Sequence, residues 1–348
     1  MGIARFEIEV RPPFRLDLTV WALRRRPHNA VDAWDGTTYT RTLVADGRPV
    51  QVVVRQEPGG KSEQVRLDVA VRRRGEIPDD AAVAEVRRTI ERMLGLDVDL
   101  TAFYELADSD ERLAGLARRF VGMRPPRFAS VFEALVNAVA CQQLSLTVGI
   151  HLLDRLADVY GPQVAIRGGT PGFPTADRLA AAEPAHLRRL GFSLAKARAV
   201  TGLARRVASA TLDLDALAQS DGEQVGAALV ALPGIGRWSA EYVLLRGLGR
   251  LDVLPGDDVG ARNNLRRRFE LPASAGYDEV AALAESWWPY GGLVYFHLLL
   301  DALSRDGCVG TAAPRSPTRD SAAGGTWSTR ARGRRPTAGA AFGVGDVA

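Results

Sequence analysis

Four segments in the first 78 residues alternate apolar and polar positions with the period of two that a half-buried strand requires: FEIEV, TYTRTLVA, VQVVVRQ and VRLDVAV. Asp46-Gly47 separates the second from the third, and this dipeptide suits the left-handed torsions of a two-residue hairpin. An antiparallel sheet is expected. The period then lengthens. Behind a capping Asp79 or Asp80, DDAAVAEVRRTIERMLGL repeats its apolar residues at helical spacing, and Gly95 marks its end.

From residue 101 to about 305 the apolar positions follow helical spacing throughout, interrupted by Pro, Gly and capping residues. Ser130 opens VFEALVNAVACQQ, a further helix runs from Leu146 to Tyr160, Thr175, Pro184 and Ser193 start three more, and Asp221 starts GEQVGAALVAL. Helices from about Ile235 to Leu248 and from about Asp257 to Phe269 follow, then YDEVAALAESW and LVYFHLLLDAL. The fold class is therefore α+β. An N-terminal antiparallel sheet domain at 1–100 precedes an all-helical region at 101–310, with a helix–hairpin–helix at about 221–248. Residues 311–348 are rich in Ala, Gly, Pro, Ser, Thr and Arg and have little to bury, so a disordered basic tail is expected there.

Composition narrows the function classes. Residues 311–348 hold six of the 45 basic and two of the 41 acidic side chains, which leaves the body of the chain balanced and any nucleic-acid surface on it local. Only two cysteines are present, Cys141 and Cys308, too far apart for a four-thiolate metal site or a disulfide framework. The N-terminus MGIARFEIEV lacks the apolar stretch of a secretory leader, and no segment approaches the roughly 20 apolar residues of a membrane span. The expectation is a cytoplasmic, nucleoid-associated monomer with no membrane partner.

The densest chemistry lies in LPGIGRWSAEY, residues 232–242. A helix ending near Leu232, a Leu-Pro-Gly-Ile-Gly turn and a second helix make a hairpin in which Gly234 and Gly236 keep side chains away from the backbone amides. Those amides and the positive end of the second helix form a sequence-independent phosphate site. Ile235 is the apolar plug of the hairpin, and Arg237 is placed to reach a neighbouring phosphate. The alternative, a plain helix–helix turn, has no use for Asp258, which follows Leu254-Pro255-Gly256 about twenty residues past Trp238.

This combination resembles the helix–hairpin–helix glycosylases of base-excision DNA repair. More narrowly, PGIGRWSAEYVLLRG followed by LPGDD is similar to the DNA-3-methyladenine glycosylase II family, its alkylation-repair branch. The resemblance extends to FEALVNAVACQQLS, to FPTADRLAAAEPAHLRRLGFSLAKARAV and to the N-terminal sheet. It implies a monofunctional glycosylase acting on double-stranded DNA that carries alkylated bases. Relatives that also cut the strand carry a Schiff-base lysine two residues after the second hairpin glycine, where this chain has Trp238, and its only lysines, Lys61 and Lys196, are remote in sequence.

The resemblance also assigns roles. Trp238 and Tyr242, four apart on one helix face, line the base pocket, where core packing is the alternative for such a pair. A purine alkylated at N3 or N7 is cationic, and aromatic faces attract it by about 0.5–2 kcal/mol. Such a base needs little acid help to leave, so one carboxylate beside the sugar suffices. Asp258 is the expected catalytic residue, with Asp257 as the fallback or as the cap of the following helix. Gln142 and Gln143 belong to the loop that probes the minor groove, Gln142 toward the base and Gln143 or Leu144 as the wedge. Leu232, Gly234, Ile235, Gly236 and Arg237 face the DNA backbone. No cofactor is required, but a sodium or potassium ion held by the carbonyls of Val230, Leu232 and Ile235 is implied. Val259 and Leu299 stand where relatives can carry aromatics, so the pocket has fewer aromatic walls and the resemblance does not fix the breadth or preference of substrate selection. Trp287, Trp288, Tyr290 and His297 are expected in or next to the core. A non-catalytic damage-binding module and a glycosylase for a deaminated base such as hypoxanthine are the competing readings.

Overall fold

The computed structural model describes residues 1–57, 64–166 and 168–309, so Lys61 and the segment expected to be a disordered tail lie outside the described residues. Five strands, β1 Gly2–Val10, β2 Ala33–Trp34, β3 Thr38–Ala45, β4 Arg48–Gln56 and β5 Val65–Arg73, form one antiparallel sheet in the order β1-β5-β4-β3-β2. Ala45 pairs with Arg48, and Asp46 and Gly47 between them take φ of 50° and 65°, the hairpin turn expected from their identity. The register aligns Val50, Val52 and Val54 with Leu43, Arg41 and Tyr39 on one face, and all six are buried.

Helix α1, Leu16–Arg24, interrupts the strands and is a correction to the reading of residues 1–78 as strand throughout. Its LDLTV segment alternates like a strand because the helix is buried on several sides. Leu16, Val20 and Leu23 enter one core while Leu18 and Ala22 enter a second. Next come α2 Asp80–Met93, capped by Asp79 through the Ala82 amide, α3 Thr101–Asp108 and α4 Glu111–Arg119. They are followed by α5 Val131–Cys141, α6 Leu146–Tyr160, α7 Ala176–Ala180, α8 Pro184–Arg189 and α9 Leu194–Ala208. The remainder are α10 Leu214–Ala218, α11 Gly222–Val230, α12 Arg237–Val243, α13 Val259–Phe269, α14 Tyr277–Glu285 and α15 Gly291–Arg305. A π-turn at Leu244–Leu248 continues α12, so the second hairpin helix is regular over only part of its expected length. Between 101 and 309, the described residues hold one isolated bridge, Gln163 to Pro171, and no strand.

Two cores share this frame. The sheet, α2, α5, α6, α9, α11 and α12 pack into the first, while α3, α4, α13, α14 and α15 build the second. His297 and Trp287 are buried in the second as expected, but Trp288 is 71% exposed and does not belong to it. Every residue of α5 is buried, and a charged cluster fixes that helix against the sheet. The Arg41 guanidinium on β3 donates to Asp32 and to Glu133 of α5, each at 2.5 Å, and the Tyr39 hydroxyl adds a bond to Asp32 at 2.8 Å. All four groups are buried, so each charge depends on the others for the hydration it has lost.

Replacing Arg41 by Ala leaves two carboxylates buried without their cation, and about 3–5 kcal/mol of unfolding free energy should be lost in urea titrations. Arg48→Ala, whose partner Glu76 is solvent-exposed, is expected to change stability by less than about 1 kcal/mol.

Candidate active site

Chain reversal between α11 and α12 is made by local chemistry. Leu232 and Ile235 are buried, and the Ile235 amide donates to the Leu232 carbonyl at 3.1 Å across the turn. Gly234 takes φ of 83°, and a Cβ there would lie 2.9 Å from that of Ala199. Gly236 caps α12 with no side chain, and a Cβ at this position would meet nothing within 4 Å. Gly236 lines the cleft, and it has no side chain to shield the amides that open α12.

The loop between α5 and α6 is braced against this hairpin. The Gln142 side-chain nitrogen donates to the Gly234 carbonyl and to the Ser239 hydroxyl, both at 2.8 Å. Both amide hydrogens are thereby used, and only the carboxamide oxygen is left to read a base. Lys196 of α9 donates to the carbonyls of Ala140 and Gln142 at 3.0 and 2.6 Å. Remote in sequence, this lysine nonetheless lines the same cleft, and burial pulls its pKa down from the ordinary value. At the tip, Gln143 adopts φ of 52° and Leu144 is 43% exposed, so the two wedge candidates project beside the cleft.

The cleft has a volume of about 1200 Å³ and opens where the two cores meet. On one wall, Trp238 and Tyr242 stand with ring centroids 5.3 Å apart and 32° between planes. Beside Trp238, Asp258 is the N-cap of α13. Its Oδ1 accepts the Ala261 amide at 2.8 Å, and its Oδ2 accepts the Trp238 indole N–H at 3.2 Å and the Tyr295 hydroxyl at 3.3 Å. Capping and facing the cleft are thus combined in Asp258, and the division of labour expected with Asp257 does not occur. Burial and the Asp258 carboxylate push the Tyr295 hydroxyl well above its ordinary pKa, so it stays a donor.

Asp257 instead pairs with Arg237, at 2.8 Å to Nη2 and 2.9 Å to Nε. Arg237 also lies over the Tyr277 ring, 3.6 Å from its centroid, so the residue expected to reach a phosphate is held over the surface of this loop. Tyr277 in turn donates to Glu241 at 2.7 Å, and the second Glu241 oxygen accepts the Gly256 amide at 3.2 Å. Burial raises the Tyr277 pKa to about 12 and also raises that of Glu241. This chain of contacts fixes the LPGDD segment, and with it Asp258, to α12. Val259 is exposed at the rim, and Leu299 lines the cleft one helical turn beyond Tyr295.

Arg25, the left-handed C-cap of α1, escaped sequence reasoning. Its guanidinium donates to the Tyr242 hydroxyl and, at 2.7 Å, to Asn137 of α5, so the N-terminal region reaches the floor of the cleft. The run Arg24-Arg25-Arg26 at the end of an apolar helix was the available signal. For Tyr295 it was the four-residue spacing to Leu299.

Residues 136–290 match the HhH-GPD superfamily of base excision DNA repair proteins, and residues 5–130 match the AlkA N-terminal domain. A DNA-3-methyladenine glycosylase of Bacillus subtilis (strain 168) is 30% identical over 215 residues, 62% of this chain and 71% of that protein. The chain belongs to the DNA-3-methyladenine glycosylase family. As a member of that family it is an enzyme, and the reading as a non-catalytic binding module is set aside. DNA-3-methyladenine glycosylase 2 of Escherichia coli (strain K12) is 34% identical over 177 residues, 51% of this glycosylase and 60% of that one. Among solved structures, the 3-methyladenine DNA-glycosylase from Archaeoglobus fulgidus superposes with a TM-score of 0.75 at 28% identity, covering 86% of this chain and 98% of that chain.

Removing the Tyr295 hydroxyl takes one donor from a charged acceptor. Tyr295→Phe is expected to slow single-turnover base release about tenfold while duplex binding is unchanged. An unchanged rate contradicts a role for this bond.

Proposed function

We propose that this glycosylase flips an alkylated purine, chiefly 3-methyladenine and also 7-methylguanine, out of duplex DNA and hydrolyses its N-glycosidic bond with water. The observation that carries the reading is the Asp258 carboxylate, fixed by donors from Trp238, Ala261 and Tyr295 at the edge of the Trp238–Tyr242 aromatic wall. Three bonds hold the carboxylate in place before substrate arrives, so it is preorganised for a developing positive charge.

The cationic base stacks on Trp238 and Tyr242, whose ring faces favour a positive ring. As the bond from C1′ to the ring nitrogen lengthens, the electron pair goes to the base and neutralises it. Positive charge grows on the sugar, and Asp258 stabilises it. The same carboxylate orients water and accepts its proton as the C1′–O bond forms. The amides before α12 and at Gly234 grip the strand, and Gln143 with Leu144 fills the space the base has left.

Strand cleavage is not part of this reaction. Trp238 stands at the position of the strand-cutting lysine, and Lys196, although it lines the cleft, spends its ammonium on two carbonyls. A sodium or potassium ion suits the hairpin as a further element. The carbonyls of Val230 and Ile235 accept no backbone amide among the described residues, whereas that of Leu232 accepts Ile235. Neutral oxygens at the negative end of α11 match a weakly charged cation, which would stiffen the turn. One hairpin per chain is enough to grip one strand, consistent with a monomer.

One observation favours a second substrate class. The Arg25 guanidinium bonds the Tyr242 hydroxyl, and that of Arg246 lies 5.7 Å from the Tyr242 ring centroid, so two cations stand behind this wall. Such a field opposes a cationic base and suits a neutral one with an acceptor edge, such as hypoxanthine.

Methylated duplex DNA treated with the enzyme should release free 3-methyladenine and 7-methylguanine, identified by chromatography, and leave the strand intact until alkali is added. Release of hypoxanthine from a deoxyinosine-containing duplex, with neither methylated base released from the methylated one, would overturn the alkylation reading. Strand scission without alkali, with protein trapped on DNA by borohydride, would overturn the monofunctional one.

A further inference from the structure

Outside the cleft, one group of side chains takes no part in base release. His28 follows α1, and His151 and Asp154 lie three residues apart on one face of α6. One potential ligand atom from each comes within 4.8 Å of the other two. The two imidazoles stack with centroids 3.9 Å apart and 18° between planes.

We infer that His28, His151 and Asp154 form a binding site for a divalent transition-metal ion, with zinc the best fit. The ligand set is two borderline imidazole nitrogens and one carboxylate, which favours zinc, cobalt or nickel over the all-oxygen preference of magnesium and calcium. Three protein ligands and one water complete a tetrahedron. Tetrahedral metal–ligand bonds of about 2.0–2.1 Å set ligand atoms about 3.4 Å apart, so the three atoms must close by up to about 1.4 Å and the two imidazoles must turn out of their stack for both in-plane lone pairs to meet at one ion.

The surroundings of each ligand support the site. The buried Nε2 of His28 has no hydrogen-bond partner. The Oδ1 of Asp154 accepts the Ala30 amide at 2.9 Å, so this carboxylate is oriented through one oxygen. An outer hydrogen bond that sets the tautomer of a histidine or the angle of a carboxylate is the usual support of a protein metal ligand. Burial raises the Asp154 pKa to about 6, and burial together with His151 lowers that of His28. A cation between them would relieve the first and would find the second already neutral. His151 is exposed, which leaves a path for the ion and a position for water.

The ion would join the connection after α1 to α6. The first turn of that helix directly follows the Gln143–Leu144 tip, and Arg26 donates to Thr147 Oγ1 at 3.2 Å in the same region. It would act as a clamp beneath the loop that probes DNA, apart from the chemistry at Asp258.

The test uses the full-length, untagged protein stripped with a chelator and titrated with Co²⁺ alone. One equivalent should bind and give the visible absorption of four-coordinate cobalt, Zn²⁺ should displace it, and the melting temperature should rise. His151→Ala and Asp154→Asn should each weaken binding at least about tenfold and abolish the melting shift. His186→Ala should leave both unchanged. Because His151 is exposed, its variant is expected to fold, and the melting curve without metal checks this. Absence of stoichiometric cobalt binding would overturn the site, as would binding that survives both substitutions.

Discussion

One carboxylate, Asp258, is held by an indole, a phenol and a backbone amide drawn from three separate parts of the chain. Most of the helical architecture serves to bring those donors together. The hairpin supplies Trp238, the last helix supplies Tyr295, and α13 supplies the amide of its own first turn. A flexible carboxylate would have to reorganise as positive charge develops on the sugar, and a fixed one does not. The contacts among Arg237, Asp257, Tyr277, Glu241 and Gly256 extend this fixation outward, because they tie the LPGDD segment to the helix that carries Trp238.

The N-terminal region contributes more than a covering sheet. Two buried guanidinium groups cross from it to the helices. Arg41 pairs with Glu133 at the start of α5, and Arg25 bonds Asn137 one turn further along and Tyr242 on α12. Helix α5 ends at the loop that carries Gln142, Gln143 and Leu144, so its placement sets where that loop stands beside the cleft. Lys196 and Gln142 complete the brace from the other side. Buried charges of this kind are costly to leave unpaired, which makes the placement specific.

What the sequence revealed divides along physical lines. The Asp46-Gly47 turn, the Ser130 and Ser193 caps and the Gly234 hairpin are set by torsions and hydrogen bonds within a few residues, and a reader of the chain can find them. Helix α1 was hidden because burial on several sides erases the helical period and leaves the alternation of LDLTV. Asp258 was legible through its spacing from Trp238, but its double duty as cap and cleft carboxylate depends on which way each oxygen points. Arg25, Lys196 and Tyr295 reach the cleft through tertiary packing, to which the Arg24-Arg25-Arg26 run and the Tyr295–Leu299 spacing give only a weak local signal. Residues 1–100 and 101–310 are distinguishable in composition, yet in space the described residues of both lie in one compact unit.

The account rests on Asp258 acting on the reacting sugar while binding depends on other groups. Asp258→Asn retains a side chain able to cap α13, so the fold should persist. Single-turnover release of 3-methyladenine from methylated duplex, measured beside duplex binding at one salt concentration, separates the two roles. Release is expected to fall at least about a hundredfold with binding unchanged. A variant that releases the base at the wild-type rate would place the chemistry elsewhere and contradict the account.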